Sequence, residues 1–269
     1  MRFSDGNAQA WIDRVSAIEQ GEGMRVGAAI HSVRAVPRDA MPLIAAWCAG
    51  RPLHAHLSEQ VAENLACHQA YGISPTQVLD QAGVLGPNAT MVHATHLSGT
   101  DITLLGSTGT IACFCPTTER DLADGIGPAR ALIDAGCSIA LGSDQHAVID
   151  PIEEARALEM HERLVSGERG RIPLAGLVSA LTTAGHRSLG WPDAGAIAVG
   201  QRADLVCISL DSVRTAGSIP DQALLAAGAT DVRTVVCDGR VIVRDGRHQL
   251  GDIGRELQTA VTAAWARTP

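Results

Sequence analysis

Three short segments place chemistry-bearing side chains directly after apolar runs: P-L-H-A-H-L-S-E (52–59), V-H-A-T-H (92–96) and G-S-D-Q-H (142–146). A histidine (His56), a glutamate three residues on (Glu59), a further histidine (His93) and a later aspartate (Asp144) are the types that hold a divalent metal and move the proton of a metal-activated water. Neutral imidazole suits Zn2+, and a carboxylate such as Asp144 can bind it monodentately and accept a proton. Glu59 can shuttle a proton between water and a leaving amine. His93 can polarise a substrate C=N or C=O, or bind metal. Singly, each has a plainer reading: His54 and His56 as hydrogen-bonded structural histidines, G-S-D as a turn, His96 as polar surface. Their order along the chain favours chemistry. Cys113 and Cys115 alternate on a strand, but no second pair completes a tetrahedral site, so they read as small buried thiols.

The elements that must position these residues alternate in type. Short apolar runs recur at 25–30, 51–57, 89–94, 109–115 and 137–142, with helical segments at 42–48, 58–71 and 127–135. Strands alternating with helices predict parallel βα units, and an α/β barrel keeps its chemistry at the carboxyl ends of its strands. Along 53–57, alternation puts His54 and His56 on one face and Leu53, Ala55 and Leu57 on the other. Only about three βα units, at roughly 30 residues each, fit between His56 and Asp144. His54-x-His56 therefore reads as a fifth barrel strand, with His56 as ligand and His54 supporting it.

The fold expected is thus α/β, a partial (β/α)8 barrel of about the last five units over 1–190. A small β appendage with a terminal helix follows over 191–269. The chain opens on an amphipathic helix at 8–20, with Trp11, Val15 and Ile18 at helical spacing. A helix is expected over 174–184. Strand-turn-strand signals follow at 196–208 and 235–247, with Asp238-Gly239 and Asp245-Gly246 as turn dipeptides.

Bulk properties narrow the function classes. The 269 residues are 46% hydrophobic but only 3% aromatic, so the core is expected from Ala, Val, Leu and Ile. A net charge of −8 without a Lys/Arg run argues against nucleic acid or an anionic membrane as partner. No stretch approaches the roughly 18–20 apolar residues of a membrane span. The first residues lack the apolar core of a signal peptide. Seven cysteines without framework spacing imply reduced thiols, and a cytoplasmic location is expected.

The order H-x-x-E, H, S-D after successive strands resembles the amidohydrolase superfamily of metal-dependent deaminases. Six segments further resemble its N-formimidoyl-L-glutamate deiminases: H-S-V-R-A-V (31–36), H-A-H-L-S-E-Q (54–60), V-H-A-T-H (92–96), C-P-T-T-E-R-D-L-A-D-G-I (115–126), G-S-D-Q-H (142–146) and E-E-A-R-A-L-E (153–159). The first and fourth discriminate, the rest being common to many deaminases. G-x-x-A-V-G-Q-R-A-D-L-V (195–206) is similar to the superfamily's common tail. The resemblance implies that His56 and Asp144 are zinc ligands, with Fe2+ or another divalent metal as alternatives. It implies that Glu59 is the proton shuttle and that His93 orients the attacked carbon. His31 and Arg34 would lie in the substrate loop, where an arginine suits a dicarboxylate.

The resemblance also implies a first-strand His-x-His supplying two further ligands, which has no counterpart before residue 25. A truncated product lacking an N-terminal segment is the expectation, with weak zinc binding and little turnover alone. In the 115–128 loop, Arg120, Asp121, Ala123 and Gly127 depart from the family's usual neutral and aromatic residues. Two other readings stand: a related deaminase acting on guanine or another heterocyclic amidine, and a non-catalytic fragment or subunit of a split enzyme. A homodimer is expected by analogy alone.

Overall fold

The computed structural model describes residues 5–145 and 148–266. It divides into two compact units, Met1–Ala196 and Ile197–Pro269.

The first unit runs α1 (Ala8–Ser16), β1 (Ala28–Ile30), α2 (Met41–Trp47), β2 (Leu53–Leu57), α3 (Val61–Tyr71), α4 (Pro75–Gln81), β3 (Ala89–His93), α5 (Gly99–Thr108), β4 (Ile111–Phe114), α6 (Pro116–Asp121), α7 (Ala129–Asp134), β5 (Ile139–Leu141), α8 (Pro151–Ser166), α9 (Leu174–Leu181) and α10 (Thr183–Ser188). The five strands form one parallel sheet in sequential order. Each expected apolar run carries one of them. In β2 the expected alternation appears as buried Leu53, Ala55 and Leu57 against half-buried His54 and His56. The register then brings His56 level with Val92, and Leu57 level with His93.

The helix ends are written locally. Ser74 caps α4 and Ser98 caps α5, each in a reciprocal capping box with the residue three positions on, Gln77 or Asp101. Asp150 accepts from Ile152 N and Glu153 N ahead of Pro151, which starts α8. Among the described residues, Leu57, Leu79, Met91, Leu105, Ile111, Leu132 and Leu177 fill the core together with the aromatic Phe114. Helix α5 comes very close to the end of α7: a Cβ on Gly106 would sit 2.1 Å from the Ala135 carbonyl oxygen.

Several expectations need correction. The opening helix stops at Ser16, ahead of Gly21 and Gly23, which disfavour helix, and Ile18 is left exposed. The 115–128 segment is not all loop: Pro116 begins α6, where a missing N–H costs nothing. Thr117 then donates from both its N (3.0 Å) and its Oγ1 (2.5 Å) to the buried Glu154 carboxylate of α8. The helix over 174–184 is two helices, broken at Thr182, whose φ −122 and ψ −97 are non-helical. In 196–208 only Leu205–Ile208 is extended in a sheet.

The second unit contains β6 (Leu205–Ile208), α11 (Ala223–Ala226), β7 (Val232–Cys237), β8 (Arg240–Arg244), β9 (Arg247–His248) and α12 (Ile253–Ala266), with its four strands in an antiparallel meander. Asp238-Gly239 joins β7 to β8 and Asp245-Gly246 joins β8 to β9, all four residues having positive φ, as tight hairpins require. Arg214 grips the Asp231 carboxylate at 2.8 Å. That guanidinium, with the Ser212 hydroxyl and the Gly228 N–H, holds the carboxyl well below the usual range. Among the described residues, no helix is long and apolar enough to cross a membrane.

Candidate active site

The chemistry-bearing residues gather at the carboxyl ends of the parallel strands, where the backbone takes unusual turns. Ser58 (φ 49), His93 (φ 69), Ala94 (φ 48) and Asp144 (φ 48) are non-glycine residues in the left-handed region at the ends of β2, β3 and β5. Each such residue costs on the order of 1–3 kcal/mol and persists only where its surroundings fix it. Here the fixing bonds bridge strands: Ala94 N donates to Leu57 O (3.0 Å) and His96 N to Ser58 O (3.0 Å).

His93 sits at the centre, 1% exposed. Its Nε2 lies 3.8 Å from Glu59 Oε1 and 3.9 Å from Asp144 Oδ2. On the other side, its Nδ1 lies 3.3 Å from Glu119 Oε1. Burial works to lower the imidazole's pKa, but the Glu119 hydrogen bond and charge, with Glu59 and Asp144, outweigh it and hold the pKa above the ordinary value. The His56 ring stacks on His93 with centroids 5.5 Å apart.

His56 is oriented by the backbone. Its Nδ1 donates to the His31 carbonyl at 2.7 Å, which also accepts the His56 N–H at 3.1 Å. Nδ1 therefore carries a hydrogen, and in the neutral ring the lone pair lies on Nε2, as in a metal-ligating histidine. Asp144 is a partly exposed carboxylate on the same side of His93 as Glu59. The donor chemistry of His56 and Asp144 thus fits two positions of a divalent metal site.

Glu59 pairs with Arg34, Nη2 to Oε2 at 2.7 Å, and Arg34 Nε lies 3.7 Å from Glu63 Oε2. The same Glu63 oxygen accepts the Glu59 backbone N–H at 3.1 Å. Burial raises the Glu63 carboxyl, with Arg34 opposing. The His31 ring meets His56 edge-on with centroids 5.1 Å apart and contacts Ser32 Oγ at 3.0 Å. Burial lowers its pKa first, then the His56 and Arg34 charges.

The structure thus brings together His31, Arg34, His56, Glu59, His93 and Asp144. His54 stands apart from them, with Nε2 donating to the Ser188 carbonyl at 2.8 Å, so it ties β2 to α10. His96 is not simple polar surface: half-buried, it holds the Asp124 carbonyl at 2.7 Å, and its own carbonyl accepts from Asn64 Nδ2 at 2.6 Å. His146, in the G-S-D-Q-H motif, lies outside the described residues.

Two buried acids escaped the sequence reading. Glu63 follows Glu59 by four residues in the first turn of α3, and its carboxylate folds back to the Glu59 N–H, a spacing that was a usable signal. Glu119 lies within the discriminating C-P-T-T-E motif, yet nothing local tells that it meets His93 across the sheet. His93, Cys115 and Glu119 offer donors all within 4.8 Å of one another, a set able to hold a metal on proximity alone. The hydrogen bond to Cys113 and burial push the Cys115 thiol far above its ordinary value.

A model of the amidohydrolase family matches residues 5–242. The chain is 34% identical over 262 residues to a formimidoylglutamate deiminase of Pseudomonas aeruginosa, covering 92% of this chain and 57% of that protein. It is 38% identical over 198 residues to an 8-oxoguanine deaminase of the same organism, covering 72% of this chain and 44% of that protein. The crystal structure of a Xanthomonas campestris adenosine deaminase with bound zinc superposes with a TM-score of 0.86 at 25% identity, over 95% of this chain and 59% of that one. The chain thus spans about half the length of the curated relatives it matches. With the family model covering most of its length, and its histidines and acids meeting at the carboxyl ends of a parallel sheet, the chain belongs to the amidohydrolase family.

Proposed function

We propose that this chain forms five βα units of a (β/α)8-type barrel in a hydrolytic deiminase, with N-formimidoyl-L-glutamate as substrate. Water adds at the formimidoyl carbon, the terminal nitrogen leaves as ammonia, and N-formyl-L-glutamate remains. The observation that carries this reading is the convergence of Glu59 and Asp144 on His93 Nε2, at 3.8 and 3.9 Å, with Arg34 beside Glu59. The relationship to the formimidoylglutamate deiminase supports this choice of substrate.

Each side chain has a task in this reading. Glu59 passes one proton of the attacking water to the departing nitrogen, and the second, from the hydroxyl left on the carbon, reaches the same nitrogen by way of Asp144, so both water protons leave with ammonia. His93 orients the C=N carbon through Nε2, and Asp144 is a second proton acceptor. Arg34 and His31 bind substrate carboxylate, for which a guanidinium provides a planar, bidentate partner. A divalent metal, zinc by analogy with the relative that contains it, would be held by His56 and Asp144 with further donors, and supplies Lewis acidity and a more acidic water.

A second reading exchanges the substrate for a heterocyclic amidine, as favoured by the 38% identity to the 8-oxoguanine deaminase over a shorter span. The scarcity of aromatic residues weighs against it, because heterocycle pockets favour stacking side chains.

The experiment is ammonia release from N-formimidoyl-L-glutamate by the 269-residue chain supplied with zinc, beside Glu59→Gln and beside guanine as substrate. Release that falls about 10²–10⁴-fold in the variant supports the proposal. Release from guanine alone would replace the substrate. No release from either would leave this chain without the proposed activity on its own.

A further inference from the structure

We propose that Glu119 is a positioning residue for His93: its Oε1 fixes the imidazole hydrogen on Nδ1, so that Nε2 is the nitrogen presented between Glu59 and Asp144.

One oxygen of Glu119 has two neighbours. Glu119 Oε1 accepts the Cys115 backbone N–H at 2.7 Å and lies 3.3 Å from His93 Nδ1. A backbone N–H can only donate, and at 2.7 Å it takes the better acceptor of the carboxyl, the oxygen without a proton, so any proton on Glu119 belongs on Oε2. That oxygen then accepts from His93 as well, and the hydrogen between them belongs to Nδ1. Glu119 and His93 are each 1% exposed, so water is excluded from this contact.

The platform behind Glu119 is built to hold it still. Glu119 N donates to Cys115 O at 2.9 Å, closing the first turn of α6, and Asp124 N donates to Glu119 O at 2.9 Å. Thr117, on the same turn, is anchored to Glu154 of α8. His93 leaves β3 with a left-handed φ of 69, a conformation that needs such outside support. Carboxylates that orient a working histidine through its far nitrogen recur in hydrolases, where their loss costs the correct tautomer rather than the fold.

This assignment deepens the hydrolytic reading, and its test is independent of turnover. Long-range 1H–15N correlation spectra of the 15N-labelled full chain at neutral pH show whether Nδ1 of His93 carries a hydrogen, its signal assigned by loss in His93→Asn. Wild type is expected to show Nδ1–H. Glu119→Gln is expected to keep it, because turning the amide nitrogen toward Cys115 would set two donors against each other. Glu119→Met, similar in size but with no oxygen acceptor, is expected to lose it. Hydrogen on Nε2 alone in wild type or in the Gln variant would overturn the proposal, even if the Met variant does not fold. Nδ1–H persisting in a folded Met variant would overturn it too. A zinc titration gives a further check: binding that survives His56→Ala and Asp144→Ala but is lost in Cys115→Ala would make the cluster a metal site instead. An inactive chain with Nδ1–H and the expected variant pattern would count against the hydrolytic reading and for this one.

Discussion

Arg34 Nη2 touches Glu59 Oε2 at 2.7 Å while its Nε faces the buried Glu63 at 3.7 Å, so one guanidinium neutralises two acids four residues apart. In the proposed function, a substrate carboxylate competes with Glu59 for that guanidinium. Charged hydrogen bonds of this kind contribute about 1.5–3 kcal/mol, roughly ten- to hundred-fold in affinity. Calorimetric titration with N-formyl-L-glutamate should show that loss in Arg34→Met. A change below about twofold would remove Arg34 from carboxylate recognition.

Glu63 should make stability depend on pH in a direction opposite to most acids. Burial raises its folded pKa above the unfolded value of about 4.3, so folding favours the protonated carboxyl. Its contribution is fully present below about pH 4.3 and is lost as pH rises through the folded pKa. Glu63→Gln retains an acceptor for Glu59 N without the charge. Urea midpoints should place the variant at or above wild type at pH 7, with the difference closing toward pH 4. A variant destabilised at pH 7, with the deficit shrinking toward pH 4, would show that the Arg34 charge pairing outweighs burial.

His56 offers Nε2 to a metal because Nδ1 is committed to the His31 carbonyl. A ligand that binds only the folded state raises its melting temperature. Zinc should therefore raise the thermal midpoint of wild type, and not that of His56→Ala or Asp144→Ala. An undiminished rise in both variants would put the ion elsewhere.

Gly106 offers a test in which packing and propensity disagree in sign. Within a helix, alanine is favoured over glycine by about 1 kcal/mol. A Cβ there would lie 2.1 Å from the Ala135 carbonyl oxygen, a backbone atom that cannot swing aside. Overpacking costs about 1–3 kcal/mol or more. Gly106→Ala should therefore lower the unfolding midpoint, and a gain in stability would mean that α5 and α7 are not packed so closely.

The chain's local patterns determined much of this molecule. Apolar runs located the five parallel strands, alternation along Leu53–Leu57 put His54 and His56 on one face, and the Asp-Gly pairs marked both hairpins. The H-x-x-E spacing put His56 and Glu59 at one strand end, where a few residues suffice to bring them together. Other features depended on tertiary contact. His54 and His56 look equivalent along the strand, yet one meets the Ser188 carbonyl and the other the His31 carbonyl. His96 resembles surface until the Asp124 carbonyl reaches it. Glu119 becomes a partner of His93 only when β3 and β4 pair, 26 residues apart in sequence. Periodicity reports which face an element buries, since that follows from backbone geometry alone. The role of a buried polar group depends on which partner replaces its lost water, and that partner is chosen by the assembled sheet.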